Sequence, residues 1–288
     1  MRVFTVAKKD FKDAVQSRAL WSLVAVIVLV MVFVTYGYTQ IPEAFGSTDE
    51  ATFGGLLFFT DGILSLFVPL TALVVCYKAL AGEREIGSIK ILLSLPLTRS
   101  DAFLGKVIGR TGVLGVGIGV GITIGLTVGA VLLGSVEVVP LLVFLLLTLV
   151  FVATYASIMV SLSAVTGSTT RATTFAVGFF VLFELVWDAI PIALVYVVEG
   201  FSLPDTLPDW VFLVTQVSPS TAYATSLIAL LPDVADELGA SVVVGSGDVD
   251  PSSAEPFYVT AEAGLIFIAL WLFVPLLVGY SKFNSSDL

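Results

Sequence analysis

The sequence contains no histidine, a single cysteine and few charges of either sign. Without histidine the commonest neutral-pH proton shuttle and metal ligand is missing, so Ser-His and Cys-His catalysis are excluded within this subunit. One cysteine, Cys76, rules out an internal disulfide. Charged residues make up 12% of the 288 positions, against about 25% in ordinary soluble proteins. Hydrophobic residues make up 57%, and the mean hydropathy is +1.05. A water-facing surface cannot be assembled from this material. The composition therefore predicts an all-α integral membrane protein with one membrane domain spanning 1–288.

Six apolar runs reach the roughly 20 residues needed to cross a bilayer: about Leu20–Tyr38, Leu56–Ala81, Gly112–Leu133, Val138–Ala164, Thr173–Val198 and Ala261–Tyr280. The first is too long for a signal-peptide core and has no small-x-small site after it, so it reads as a retained span. The thirteen Lys and Arg are unevenly placed. Arg2, Lys8, Lys9, Lys12 and Arg18 precede span 1, and Lys78, Arg84, Lys90, Arg99, Lys106 and Arg110 lie where spans 2 and 3 face each other. Arg171 falls between spans 4 and 5, and Lys282 after span 6. The other three loops carry only acids: Glu43, Asp49, Glu50, Glu137 and nine more from Glu199 to Glu255. The positive-inside rule then puts both termini and residues 82–111 in the cytoplasm, and loop 199–260 outside. Acidic outer loops without Lys or Arg suit hydration at high salt, which suggests a halophilic prokaryote. A basic partner for the loop is the other reading.

Residues 1–19 read as a cytoplasmic amphipathic helix with Phe4, Ala7, Phe11, Ala14 and Val15 on the apolar face, or else as an ordinary basic flank. Span 3 spaces Gly117, Gly121, Gly125 and Gly129 four apart. That smooth stripe lets a second helix approach closely, within the chain in preference to a subunit interface. In loop 199–260, "SPSTAYATSLIALLP" is apolar but too short to cross, so it reads as a short helix dipping into the outer leaflet. "GSGDVDPSSAE" lacks the frame of a calcium loop, and no metal site is expected. Glu184 and Asp188 stand four apart in span 5, hence on one helical face, with no Lys or Arg in any span core. A carboxylate at mid-bilayer costs about 2.5–3.5 kcal/mol. The pair either lines a translocation path or bonds to Ser or Thr of a neighbouring span.

No G-x-x-x-x-G-K-[ST] motif is present, so ATP is not bound here through a P-loop. Yet "EREIGSIKILLSLPLTR", residues 83–99, is a compact mixed-charge segment between two spans. It reads as a short helix with Ile89, Leu92, Leu93 and Leu95 on its apolar side, ended by Pro96. Thr98 and Asp101 then form a capping box that starts the helix of span 3. The order of basic helix, two spans, this segment and four spans resembles the permease subunits of ABC-2 type transporters, in particular the NosY-like branch, over nearly the whole chain. The resemblance implies that residues 83–99 are a coupling helix seated on a separate ATPase. Glu83, Arg84, Glu85, Ile89, Leu92 and Arg99 would then be the contact residues. It further implies an exporter of two permeases and two ATPases, with ATP and Mg held by the partner and no cofactor in this chain. NosY-like permeases are associated with copper-enzyme maturation. This chain has no His, one Cys and three Met, so soft-metal ligation is not carried over. A secondary transporter or channel working through Glu184 and Asp188, or a non-transporting scaffold, are the rival readings.

Overall fold

The structure is a computed structural model that describes residues 2–41, 51–90, 97–202, 204, 207, 208, 210–238 and 257–286. Among the described residues it is helical throughout, without strands. A basic helix, α1 (Arg2–Val15), leads into span 1, α2 (Arg18–Gln40). Span 2 is α3 (Phe53–Cys76), followed by a turn and the short α4 (Ala81–Glu85). Spans 3 and 4 are α5 (Arg99–Leu133) and α6 (Val138–Val165). Span 5 begins as α7 (Thr169–Phe180), and the chain then forms α8 (Ala189–Val198), α9 (Trp210–Gln216), α10 (Pro219–Leu230) and α11 (Pro232–Glu237) before span 6, α12 (Glu262–Asn284). Among the described residues, six helices are long and apolar enough to cross a membrane.

At 35 residues, α5 is about 52 Å long, well beyond a hydrocarbon core of about 30 Å. Its charged first turns, Arg99 to Arg110, therefore extend past the apolar part. The capping box that starts it is present: Asp101 N–H donates to Thr98 Oγ1 at 3.1 Å, and Thr98 N–H donates to Asp101 Oδ2 at 2.9 Å. It stops at Gly134, whose φ of +68° sits in the left-handed region that glycine enters without strain.

The glycine stripe of α5 faces inward and meets α2. A Cβ on Gly117 would lie 3.3 Å from Val24, one on Gly121 2.5 Å from Ile27, and one on Gly125 2.9 Å from Met31. At Gly129 it would collide with Leu56 of α3. Only hydrogen at these positions lets the two backbones come so close, and dispersion between them is the reward.

One expectation changes. Span 5 is not one regular helix to Val198: a π-helical stretch, Val181–Val186, follows α7, and a turn at Trp187 and Asp188 precedes α8. Pro191 supplies the reason. It has no N–H to give the carbonyl of Trp187, which accepts from Ile190 at 3.0 Å instead, so the α-helical ladder cannot run through. One side of α1 lies against α5. Phe4 is 69% exposed, whereas Val6, Ala7 and the acidic Asp10 are buried against α5. Lys106 and Arg110 of α5 draw the acid to that face by pairing with it.

Of loop 199–260, α10 forms as a short helix, with Pro219 in its first turn. It packs against α3, α6 and α12, and its Tyr223 is fully buried, stacked on Phe151 at 4.2 Å. "GSGDVDPSSAE" lies outside the described residues.

Candidate functional site

Four charges close on one another where α1, α4 and α5 meet. Lys106 Nζ stands 2.7 Å from Asp10 Oδ1 and 2.6 Å from Glu83 Oε1. Arg110 Nε stands 2.9 Å from Asp10 Oδ2, and its Nη1 donates to the Val75 carbonyl at 2.9 Å. Two cations face two carboxylates, so the cluster is neutral. Asp10 and Lys106 are nearly sealed from solvent, where each charge is tolerable only because the other is present.

The segment after span 2 is tied to three further elements. Ser163 Oγ of α6 accepts from the N–H groups of Leu80 and Ala81, at 3.1 and 3.0 Å. Arg84 Nη1 donates to the Ala164 carbonyl at 3.1 Å, satisfying an orphan acceptor in the last turn of α6. Glu85 Oε2 accepts from Thr169 N–H at 2.9 Å, placing an acid at the positive end of α7. Arg99 Nη1 donates to the carbonyls of Phe283, Asn284 and Ser286, at 3.1, 2.7 and 2.8 Å, placing a cation at the negative end of α12. Each of the charged residues Glu83, Arg84, Glu85 and Arg99 is thus engaged within the chain.

Ile89 is 1% exposed and belongs to the hydrophobic core, while Ile86, beside a left-handed Gly87, is 78% exposed. Among the described residues of this segment, Ile86 is the apolar side chain that projects. Leu92 lies outside the described residues, as do Leu93, Leu95 and Pro96.

The membrane-embedded acids form a second constellation. Glu184, in the π-helical stretch, bonds to the Tyr155 hydroxyl of α6 and accepts from Ser220 Oγ of α10 at 2.8 Å. Ser220 in turn lies 3.1 Å from the Tyr155 hydroxyl. One turn further along α10, Tyr223 shares a 2.7 Å hydrogen bond with Thr148 of α6. Asp188 does not join Glu184. It is exposed and takes no part in the hydrogen bonds among Glu184, Tyr155 and Ser220. Aromatic rings flank the break, with Phe183 stacked on Trp187 at 4.7 Å and edge-on to Trp271 at 5.1 Å.

Two further buried acids, Asp10 and Asp61, are not among the candidates named from the sequence. Asp61 is 8% exposed in α3, with no hydrogen-bond partner for Oδ1 among the described residues. The signal was available: a lone acid in the apolar run Phe53–Cys76 is the same anomaly that marks Glu184. Asp10 gives no such signal, since an acid beside lysines in a basic helix looks like part of the polar face.

A family model described as "ABC-2 family transporter protein" matches residues 4–288. The chain is 28% identical to the probable ABC transporter permease protein NosY of Pseudomonas aeruginosa over 49% of this chain and 50% of that protein. It is 25% identical to the probable ABC transporter permease protein NosY of Stutzerimonas stutzeri over 48% and 49% respectively. The aligned stretch thus spans about half the length of the curated relatives it matches. With the match running from the basic helix through the last span, the chain belongs to the ABC-2 family of transporter proteins.

Proposed function

We propose that this chain is the membrane-spanning permease subunit of an ATP-driven ABC exporter. Two copies would assemble with two separate ATPase subunits, which hold ATP and Mg, in the cell membrane with both termini cytoplasmic. The observation that carries the reading is the anchoring of residues 80–85 and of Arg99. Through Lys106, Ser163, Thr169 and the end of α12, this one segment is bonded to spans 3, 4, 5 and 6. A push delivered there by an ATPase would reach four spans through these bonds, which a coupling segment requires.

The surface such a partner would grip is narrower than the charge pattern suggests. Glu83, Arg84, Glu85 and Arg99 already bond within the chain, so the docking contacts would fall on the apolar Ile86 and Leu92, with Lys90 at the rim. The test is co-purification of the ATPase expressed from a neighbouring gene, combined with ATP hydrolysis by the assembly in liposomes. Wild type and Lys90→Ala should recover the partner equally, and Leu92→Asp should lose it while still inserting. Equal recovery with Leu92→Asp would remove the coupling role from this segment. A proton- or sodium-dependent flux from the chain alone, without any ATPase, would replace the proposal with a secondary transporter.

A further inference from the structure

A cavity of about 360 Å³ opens where α1 passes into α2, between the basic ends of spans 1, 2 and 3. Its walls are Leu20 and Leu23 of α2, Val74 and Val75 of α3 and Val113 of α5. Its polar lining is Ser17, Tyr77, Lys78 and Arg110, with no acid among them. From the geometry we infer that this is a binding site for an anionic phospholipid of the adjacent leaflet, with its phosphate at Lys78 and an acyl chain between spans 1 and 2.

Three features of the site favour that occupant. The cavity is amphiphilic along one direction: its side chains are aliphatic on the span side and cationic or hydroxyl-bearing on the α1–α2 junction side, as a lipid is. Its charge is also unspent. Arg110 is neutralised by Asp10, but among the described residues Lys78 has no carboxylate within ion-pair distance. Its ammonium lies 5.3 Å from the Tyr77 ring centre, exposed at the cavity mouth. A tyrosine and a lysine side by side at a span end are the pair that settles at headgroup depth, the ring partly buried and the ammonium reaching outward. Finally, the volume lies within the range of ligand sites, about 300–1,000 Å³. It suits a headgroup and the first part of a chain, not a whole soluble ligand. The site requires only that this basic end lie at a membrane face, so it stands whether or not an ATPase couples to the protein.

Native mass spectrometry on the full chain released from nanodiscs of equal phosphatidylglycerol and phosphatidylcholine tests it. The retained lipid should be enriched in phosphatidylglycerol. Lys78→Ala should reduce that enrichment about fivefold, the weight of one lysine at an anionic surface. Lys78→Arg should restore it, and Lys9→Ala, which removes an exposed cation outside the cavity, should leave it unchanged. Leu23→Trp, which fills the cavity and keeps every charge, should also lower retention. Equal retention of both lipids, or enrichment indifferent to Lys78→Ala, would overturn the inference. So would full displacement of the retained lipid by millimolar inorganic phosphate, which would mark a simple anion site.

Discussion

The carboxylates at the basic end of the bundle and those within the spans solve the same problem in opposite ways. Asp10 and Glu83 are matched by Lys106 and Arg110, drawn from a helix that overshoots the membrane. Glu184 meets only hydroxyls, and Asp61 has an oxygen with no partner among the described residues. Placing a lysine in a span costs as much as placing an acid there, so cations can be supplied only where the helix leaves the hydrocarbon. The paired cluster is therefore a structural lock. The unpaired acids are held by the packing of α6 and α10 around them, and their removal should do much less to the fold.

The largest effect should come from opening the lock. Asp10→Ala leaves Arg110 without a carboxylate and the buried Lys106 with Glu83 alone, and losing one partner of such a pair costs about 3–5 kcal/mol. A fall of that size is to be read from thermal or denaturant unfolding in detergent. Retention of wild-type stability would show that the cluster is solvated. Next comes the seam between spans 1 and 3. Gly121→Val forces its side chain into Ile27, and overpacking of this kind costs about 1–3 kcal/mol. Gly119→Val, whose added Cβ meets nothing within 4 Å, should be tolerated in the same assay.

Glu184→Leu removes the acceptor of two hydroxyls that can still bond to each other, so a loss of about 1–2 kcal/mol is expected, with Glu184→Gln close to wild type. If Glu184→Gln keeps stability but abolishes transport, the carboxylate acts in the path. If transport survives both changes, its role is confined to joining the π-helical stretch to α6 and α10. The smallest effect belongs to Asp61→Asn, which has no ion pair to lose and should leave the unfolding midpoint within error or slightly raise it.

The sequence made the bundle legible because a span announces itself locally: twenty apolar residues in a row, or a threonine three residues before an aspartate, need no knowledge of distant partners. The capping box at Thr98 and the short helix at Pro219 were visible for that reason, and Pro191 carried the cue for the broken span 5. The lock was not visible. Asp10 pairs with Lys106 and Arg110, 96 and 100 residues away, and nothing in the pattern of α1 distinguishes an acid on its inner face from one on its outer face. The same limit applies to Glu83, Arg84, Glu85 and Arg99. Their charge suggests a surface for a partner, and the bonds that each also makes to a helix end or a cation of its own chain could not be read from it. Ile89 reads as one side of a docking helix and proves to be core, because the turn at Gly87 redirects the chain beyond it.

The proposed coupling role depends on which side of the membrane holds the lock, and impermeant thiol labelling decides that. In a Cys76→Ser background, the exposed positions Lys90 and Ser202 are each changed to cysteine, and intact cells are treated with a membrane-impermeant maleimide. Ser202→Cys should be labelled at once, and Lys90→Cys only after the membrane is opened. Labelling of Lys90→Cys in intact cells, with Ser202→Cys protected, would contradict the assignment.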